Sequence, residues 1–467
     1  MSLGETVENR GRVALRTTNA QPERPVVADV VERTRAEAAF DRDLYADAPR
    51  AREATTRLRN QLLARGVLFG DKLLPTSIKP HFIRRSENQA WTGLLGKLLA
   101  ILENTARELA AEPAWRRHGP FGPDAWELLD IDPGYRRWSV VCRPDIIWEG
   151  DRIGIIEMNA DSPAMMLYAD IVQQLQREIF PLDQVERDHR LSFEHRVPAL
   201  LHALREVYQE WGGAKSNPTI AIIDWRGQKT SSEQEQLAST FSNLGCPSFV
   251  CYPDELELRA GRLYGRGEAI DIVQRRMLFP DILKRQAELQ PFLTAYRDRL
   301  ACVVNPLRSY LVGCKLVLAE LCRPERLTRA DASVREVVSQ VLPCTAPLGA
   351  LPRSGLGDRN EWVLKPAFGS GGVGVIIGRY TDDATWSHIL DTANPAEWVI
   401  QTYLRVPLYR VPLTSGAIHS ATPLYANWNP FYFGGAPAGG IARVSSDPVV
   451  GISARGALLP SVIVEDE

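Results

Sequence analysis

The chain has 467 residues, 45% hydrophobic and 24% charged, which is ordinary globular composition and enough length for two or three packed lobes. Its 55 Lys and Arg against 57 Asp and Glu leave a formal net charge of −2, so nothing global favours nucleic acid or an anionic membrane as a partner. The seven cysteines form no Cys-x-x-Cys pair and no Cys/His ladder, a pattern of reduced thiols rather than of a disulfide framework or a zinc site.

No stretch approaches the ~18 apolar residues needed to span a bilayer, and the polar start Met1-Ser-Leu-Gly-Glu has no signal-peptide core. The expected location is cytoplasmic, and the oligomeric state is left open. Residues 1–25 lack periodicity and are expected to be a loose tail. Residues 26–135 form an N-terminal helical region. Ala, Arg, Glu and Leu dominate 26–65, and Leu94, Leu95, Leu98, Leu99 and Leu102 make a core stripe on a helix over 88–111. Arg116-Arg117-His118 is expected to be a solvated helix end.

The texture changes near 136. Residues 138–148 and 152–158 read as two strands joined by a Glu-Gly-Asp turn. Helical patterns over 163–178, 191–211 and 233–244 alternate with an apolar strand at 219–224, which predicts an inserted α/β lobe within 136–330. A helix is expected over 307–321, then a turn-rich passage from 343 to 358. The segment 331–467 is expected to be mostly β, at 362–366, 373–378, 398–402, 421–433 and 439–445.

Gly369-Ser-Gly-Gly-Val-Gly374 matches the G-x-G-x-x-G dinucleotide pattern. That pattern requires a helix to follow, so that its N-terminus meets the pyrophosphate. Here Val375-Ile-Ile follows, which predicts a strand, so the segment is a glycine-tipped β-hairpin. Without a following Gly-Lys-Ser/Thr it is not a Walker A loop either. Glycines still let backbone N–H groups approach phosphate oxygens, and Lys365 on the preceding strand supplies a fixed point charge. A plain flexible hairpin is the competing reading.

Arg143-Pro-Asp145 and Glu157-Met-Asn159-Ala-Asp161-Ser162 fall on the paired strands. Residues two apart on a strand share a face, so pairing would gather Asp145, Glu157 and Asn159 beside Arg143. Carboxylate and amide oxygens are ligands that Mg²⁺ takes while bridging nucleotide phosphates, and Arg143 could hold a transferring phosphoryl group. The competing reading is a salt-bridged surface hairpin. Asp161 or Ser162 is expected to cap a helix beginning near Pro163.

With these motifs in view, the sequence resembles the synthetase domain of glutathionylspermidine synthase and its relatives. The quoted signatures are Arg143-Pro-Asp145 and Ile156–Pro163. In the same order follow Asn305-Pro-Leu-Arg-Ser-Tyr-Leu-Val-Gly-Cys-Lys315, Val363-Leu-Lys-Pro366 with its glycine loop, and Ala438-Gly-Gly-Ile-Ala-Arg443. Together they sparsely cover about 136–467. The resemblance implies an α/β (α+β) ATP-grasp-like fold, circularly permuted because the metal residues precede the glycine loop. It implies a ligase joining a small-molecule carboxylate to an amine through an acyl phosphate, with ATP and Mg²⁺ as cofactors.

The same resemblance implies Asp145, Glu157 and Asn159 as metal ligands. It makes Lys315, Lys365, Gly369, Ser370, Gly371 and Gly372 nucleotide-phosphate contacts, and Gln401, Tyr403 and Leu404 the hinge that meets adenine. Arg143 and Arg443 would stabilise the transferring group. It does not extend to an amidase-type domain, and the stretch Asn427–Phe433 has no counterpart in it. A small-molecule kinase or phosphotransferase, or a nucleotide-binding protein without turnover, are the alternatives to be separated by product analysis.

Overall fold

The computed structural model describes residues 34–465 apart from 151, 181–182, 352–354, 370, 415–422 and 453–455. The expected tail over 1–25 lies outside the described residues, as does Ser370.

Good helix formers and two side-chain caps build the first helices. Thr34 Oγ1 accepts from the Glu37 N–H ahead of Arg35–Ala46, and Asp47 Oδ1 accepts from the Arg50 N–H ahead of Ala48–Ala64. The long helix Arg85–Ala111 buries Leu95, Leu98, Leu99, Leu102, Ala106 and Leu109 along one stripe, as their spacing predicts.

That helix lies against the largest sheet. Six of its strands run in the order His81–Arg84, Ala457–Val464, Ala436–Ser445, Pro423–Phe433, Val141–Glu149 and Arg152–Asn159, and two short ones, Leu191–Ser192 and Leu408–Arg410, pair beside the second and fourth. All neighbours are antiparallel except the first pair. The sheet therefore takes strands from each of the three segments 26–135, 136–330 and 331–467. Both of its faces are covered. Trp428, Tyr432, Ala442, Val444 and Leu459 join the core of the long helix, while Phe431, Phe433, Ile441, Leu458 and Val462 join the core of the helices Met166–Ile179 and Arg196–Glu210. Alternate residues thus enter opposite cores, which is why these strands carry apolar residues at nearly every position.

The inserted lobe is an α/β unit. Four parallel strands run in the order Cys302–Val304, Ile272–Arg275, Ile220–Ile223 and Ser248–Cys251, with the helix Ser231–Asn243 crossing between the last two. A smaller antiparallel sheet orders Thr345–Pro347, Trp398–Thr402, Trp362–Pro366 and Ile376–Ile377.

Several local expectations are corrected. The helix expected over 307–321 is two, Ser309–Gly313 and Lys315–Leu321, with an extended residue at Cys314. Gly313 marks the break: a Cβ there would lie 2.8 Å from the Met158 carbonyl oxygen, so this turn packs directly against strand backbone. The strand expected over 373–378 is only Ile376–Ile377, because Gly371–Gly374 form a turn. The region after 331 also holds the helices Ala332–Val341 and Asp383–Thr392. Asp382 caps the second by accepting from the Thr385 N–H at 2.8 Å. Neither Asp161 nor Ser162 caps a helix at 163. Asp161 accepts from the Phe279 N–H at 2.8 Å and pairs with Arg275 at 2.6 Å, so it ties the hairpin to the α/β lobe.

Candidate functional site

The hairpin Val141–Glu149/Arg152–Asn159 places Arg143 opposite Asn159 and Asp145 opposite Glu157, with a register shift just beyond. The four side chains therefore meet as the sequence predicts. They line one cleft of about 650 Å³ together with Lys315, Lys365, Gly369, Gly371, Gly372, Gln401, Tyr403, Leu404 and Arg443. Every described residue expected at the site is thus in one place, brought there by five separate parts of the chain.

Asp145 is the electrostatic centre. Its Oδ2 accepts from Arg443 at 2.5 Å, and its Oδ1 accepts from Asn159 Nδ2 and Asn429 Nδ2, each at 2.9 Å. Arg143 is held by the Ala164 carbonyl at 2.9 Å, and its Nε stands 3.8 Å from Asp145. Burial pushes the Arg143 guanidinium down to about 10, against the pull of Asp145. Among the described residues its buried Nε and the buried Asn429 Oδ1 have no hydrogen-bond partner. Arg143 lines the cleft, and an orphaned donor there marks a place where a ligand completes the bonding.

The two lysines come from other parts of the chain and bond to the same hairpin. Lys315 opens the second half of the broken helix, and its Nζ reaches Glu157 Oε1 at 2.8 Å and the Gly369 carbonyl at 2.9 Å. Lys365 Nζ donates to Gln401 Oε1 at 2.6 Å and to the Ile156 carbonyl at 3.0 Å. Gln401 is steadied in turn by donating to Thr345 Oγ1 at 2.8 Å. Burial pushes Lys365 down to about 7, and the Lys315 charge adds to this while Glu157 and Asp145 oppose it. Four basic side chains thus face two carboxylates, an excess suited to a polyanion.

The glycine loop lines the same cleft. Gly371 and Gly372 have φ of +71° and +77°, a region that side chains adopt at a cost. A Cβ on Gly372 would lie 2.7 Å from Val449 Cγ1. The loop after Ser445, which includes Val449, Val450 and Ile452, also lines the cleft.

The donor set fits Mg²⁺. Among the described residues no group of three or more His, Cys, Asp or Glu side chains is placed to hold a metal. Mg²⁺ needs fewer, because it usually takes one or two carboxylates and completes its shell with waters and phosphates. Asp145 and Glu157 supply two carboxylates that line the cleft, and Asn159 beside them carries an amide oxygen.

The sequence reading missed the other end of the cleft. In the parallel sheet the strands Ile220–Ile223 and Ile272–Arg275 are neighbours whose onward connections lead to opposite edges, to Ser248–Cys251 and to Cys302–Val304. Ligands of open α/β sheets bind at the carboxyl ends of such a strand pair. Asp224 and Trp225 follow one strand, Arg276 follows the other, and all three line the cleft. Burial raises the Asp224 carboxyl, and Arg276 opposes that rise. The signal available in the sequence was a charged residue directly after each apolar strand. Asn427, Asn429 and Thr345 were missed as well: Asn427 accepts from Arg443 Nε at 3.2 Å on the neighbouring strand, while Asn429 and Thr345 act through Asp145 and Gln401, which are distant in sequence.

The fold around this cleft is an α/β fold of the glutathione synthetase-like ATP-grasp type. Among solved structures, the chain is similar to a glutathione synthetase-like effector of Globodera pallida in its apo form, with a TM-score of 0.58 and 12% identity over 88% of this chain and 96% of that one. A likeness at that identity shows the fold alone. A looser match, to a Methylobacillus flagellatus protein provisionally named a gamma-glutamylcysteine synthetase, has a TM-score of 0.40 and 10% identity over 82% and 89% of the two chains, and is given no weight. No family model matches the sequence, and no curated protein matches it. Among the described residues no helix is long and apolar enough to cross a membrane.

Proposed function

We propose that this chain is an ATP-dependent ligase that joins a carboxylate to an amine through an acyl phosphate. The observation that carries the reading is the meeting, on one hairpin lining one cleft, of two charge clusters, Arg443–Asp145–Asn159 and Glu157–Lys315 with Gln401–Lys365 beside it. The glutathione synthetase-like fold supports the same reading. The narrower relation to glutathionylspermidine synthase rests on the motifs, and its glutathione and polyamine substrates are not carried over.

Lys315, Lys365 and the backbone of Gly369–Gly372 would hold the nucleotide phosphates, with Gln401, Tyr403 and Leu404 beside the base. Asp145, Glu157 and Asn159 would hold Mg²⁺, which when bound neutralises phosphate charge. Arg143 and Arg443 face the point where a substrate carboxylate meets the γ-phosphate, and they stabilise charge that grows in the transition state. The carboxylate oxygen attacks phosphorus and ADP leaves. The amine then attacks the acyl carbon, and phosphate leaves with formation of the amide. No side-chain nucleophile is required, because positioning and charge supply the acceleration. The end of the cleft at Asp224 and Arg276 would hold the substrate, with Arg276 pairing a carboxylate and Asp224 an amine.

The test is to incubate the protein with Mg·ATP and panels of amino acids, peptides and polyamines, and to measure ADP, phosphate and product. Ligation predicts equal ADP and phosphate, and a hydroxamate when hydroxylamine replaces the amine. A stable phosphorylated product would replace the ligase by a phosphotransferase, and no binding of Mg·ATP would remove both.

A further inference from the structure

Five of the seven cysteines are buried, and the two that solvent reaches, Cys322 and Cys344, are neighbours. Cys322 ends the helix Lys315–Leu321, and its Sγ lies 3.7 Å from the carbonyl oxygen of Pro343, the residue before Cys344. A carbonyl oxygen lies about 2.8 Å from the next Cα by standard backbone dimensions. The Cys322 sulfur thus lies within about 6.5 Å of the Cys344 Cα, and closing a disulfide with its S–S bond of ~2.05 Å needs rotation of both side chains and a shift of the Pro343–Cys344 segment. Cys344 is exposed and Cys322 half-buried, an arrangement of one accessible thiol with a resolving thiol behind it. Burial, with the nearby Cys344, pushes the Cys322 thiol up to about 11, which keeps it protonated until it is engaged.

We propose that Cys322 and Cys344 form a redox site at which hydroperoxides close an intramolecular disulfide and thereby loosen the grip of the phosphate site. Cys344 sulfur attacks the distal peroxide oxygen, the O–O bond breaks, and a sulfenic acid and an alcohol (water, from hydrogen peroxide) are formed. Cys322 sulfur then displaces the sulfenic hydroxyl, which leaves as water with the Cys322 proton. Two thiols lose two electrons and two protons, and the peroxide is reduced by two electrons.

The pair sits where such a bond would be felt. Cys322 lies on the helix that begins with Lys315, and Cys344 directly precedes Thr345, whose hydroxyl steadies Gln401 and through it Lys365. The Cys344 carbonyl also accepts from the Thr402 N–H at 2.9 Å. A bond between Cys344 and Cys322 would shift the segment that carries Thr345, and with it the hydroxyl that Gln401 bonds.

The functional arm rests on the ligase reading, whereas the chemical arm does not. Reduced protein is treated with hydrogen peroxide, free thiols are alkylated, and peptides are mapped without reduction. The expected result is a linked pair of peptides containing Cys322 and Cys344, two hydrogens lighter than the reduced pair and released by dithiothreitol. Cys344→Ser should abolish the link, and Cys322→Ser should leave a sulfenic acid on Cys344 that dimedone traps. Oxidised protein should bind Mg·ATP roughly 3- to 10-fold more weakly, the effect of one lost hydrogen bond, with recovery on reduction. Failure of the folded protein to give the linked peptides would overturn the proposal, as would a complete link with unchanged affinity. If the reduced protein does not bind Mg·ATP, the ligase reading falls while the linked peptides still decide the redox pair.

Discussion

Lys365 Nζ stands 2.6 Å from Gln401 Oε1 inside a wall that burial makes hostile to its charge. The two residues are on adjacent antiparallel strands, where Lys365 pairs with Val399 and Gln401 with Val363. An uncharged amide oxygen satisfies one ammonium hydrogen without neutralising the charge. The lysine is therefore left ready for a phosphate.

On the proposed ligase reading, that arrangement predicts pH-dependent binding of Mg·ATP. With Lys365 near 7 in the free protein, an anionic phosphate favours the protonated form and raises its value in the complex. Between the two values binding takes up a proton, so affinity is greatest below pH 7 and falls as pH rises, by at most about tenfold per unit. Calorimetry of Mg·ATP binding at pH 8 in buffers of different ionisation enthalpy should show uptake approaching one proton, and Lys365→Met should remove it. Proton release would contradict the assignment.

Asp145 and Glu157, although paired across the hairpin, should respond differently to substitution. Asp145 is 4% exposed and is the carboxylate nearest two arginines. Asp145→Ala leaves buried guanidinium groups without their counter-charge and should cost about 3–5 kcal/mol of stability. Glu157 is partly exposed and pairs with one lysine instead of two arginines, so Glu157→Ala should lower turnover about 100-fold or more with a smaller loss of stability, that of leaving Lys315 unpaired. Thermal unfolding beside ADP release measures both, and equal destabilisation by the two changes would refute the distinction.

Thr345→Val keeps the shape of the side chain and removes the hydroxyl that holds Gln401. The loss of one buried hydrogen bond, about 0.5–1.5 kcal/mol, should appear mainly as weaker Mg·ATP binding. Unchanged nucleotide affinity would show that Gln401 holds its position without Thr345.

Gly372→Ala tests the glycine loop. At φ +77° and with Val449 in the way, a methyl group should cost about 1–2 kcal/mol in the conformation described. The loop should shift, and the Michaelis constant for ATP should rise about fivefold or more by the same magnitude. Wild-type kinetics would mean that this loop does not contact nucleotide.

Much of the site was legible because short-range rules governed it. Residues two apart on a strand share a face, so Arg143, Asp145, Glu157 and Asn159 could be grouped before any fold was known. The strand after Gly374 excluded a dinucleotide loop for the same local reason. Other features were hidden by local signals that tertiary packing overrode. Pro460 interrupts the run Ala457–Val464 and disguises a strand that is fully buried in the main sheet. Gly313 looks like one weak helical position, yet it breaks a helix because strand backbone lies against it.

The sequence by itself determined the groups on offer, namely carboxylate and amide oxygens, two lysines and a glycine turn, together with the strands that carry them. Only the tertiary structure decided the pairings: Arg443 to Asp145, Lys315 to Glu157, and Thr345 through Gln401 to Lys365. It alone placed Asp224 and Arg276 at the far end of the same cleft. The physical reason is separation along the chain. Partners 298 and 158 residues apart, as Arg443 and Lys315 are from theirs, leave no periodic or turn signal, because their meeting is set by sheet order and by the burial that drives it.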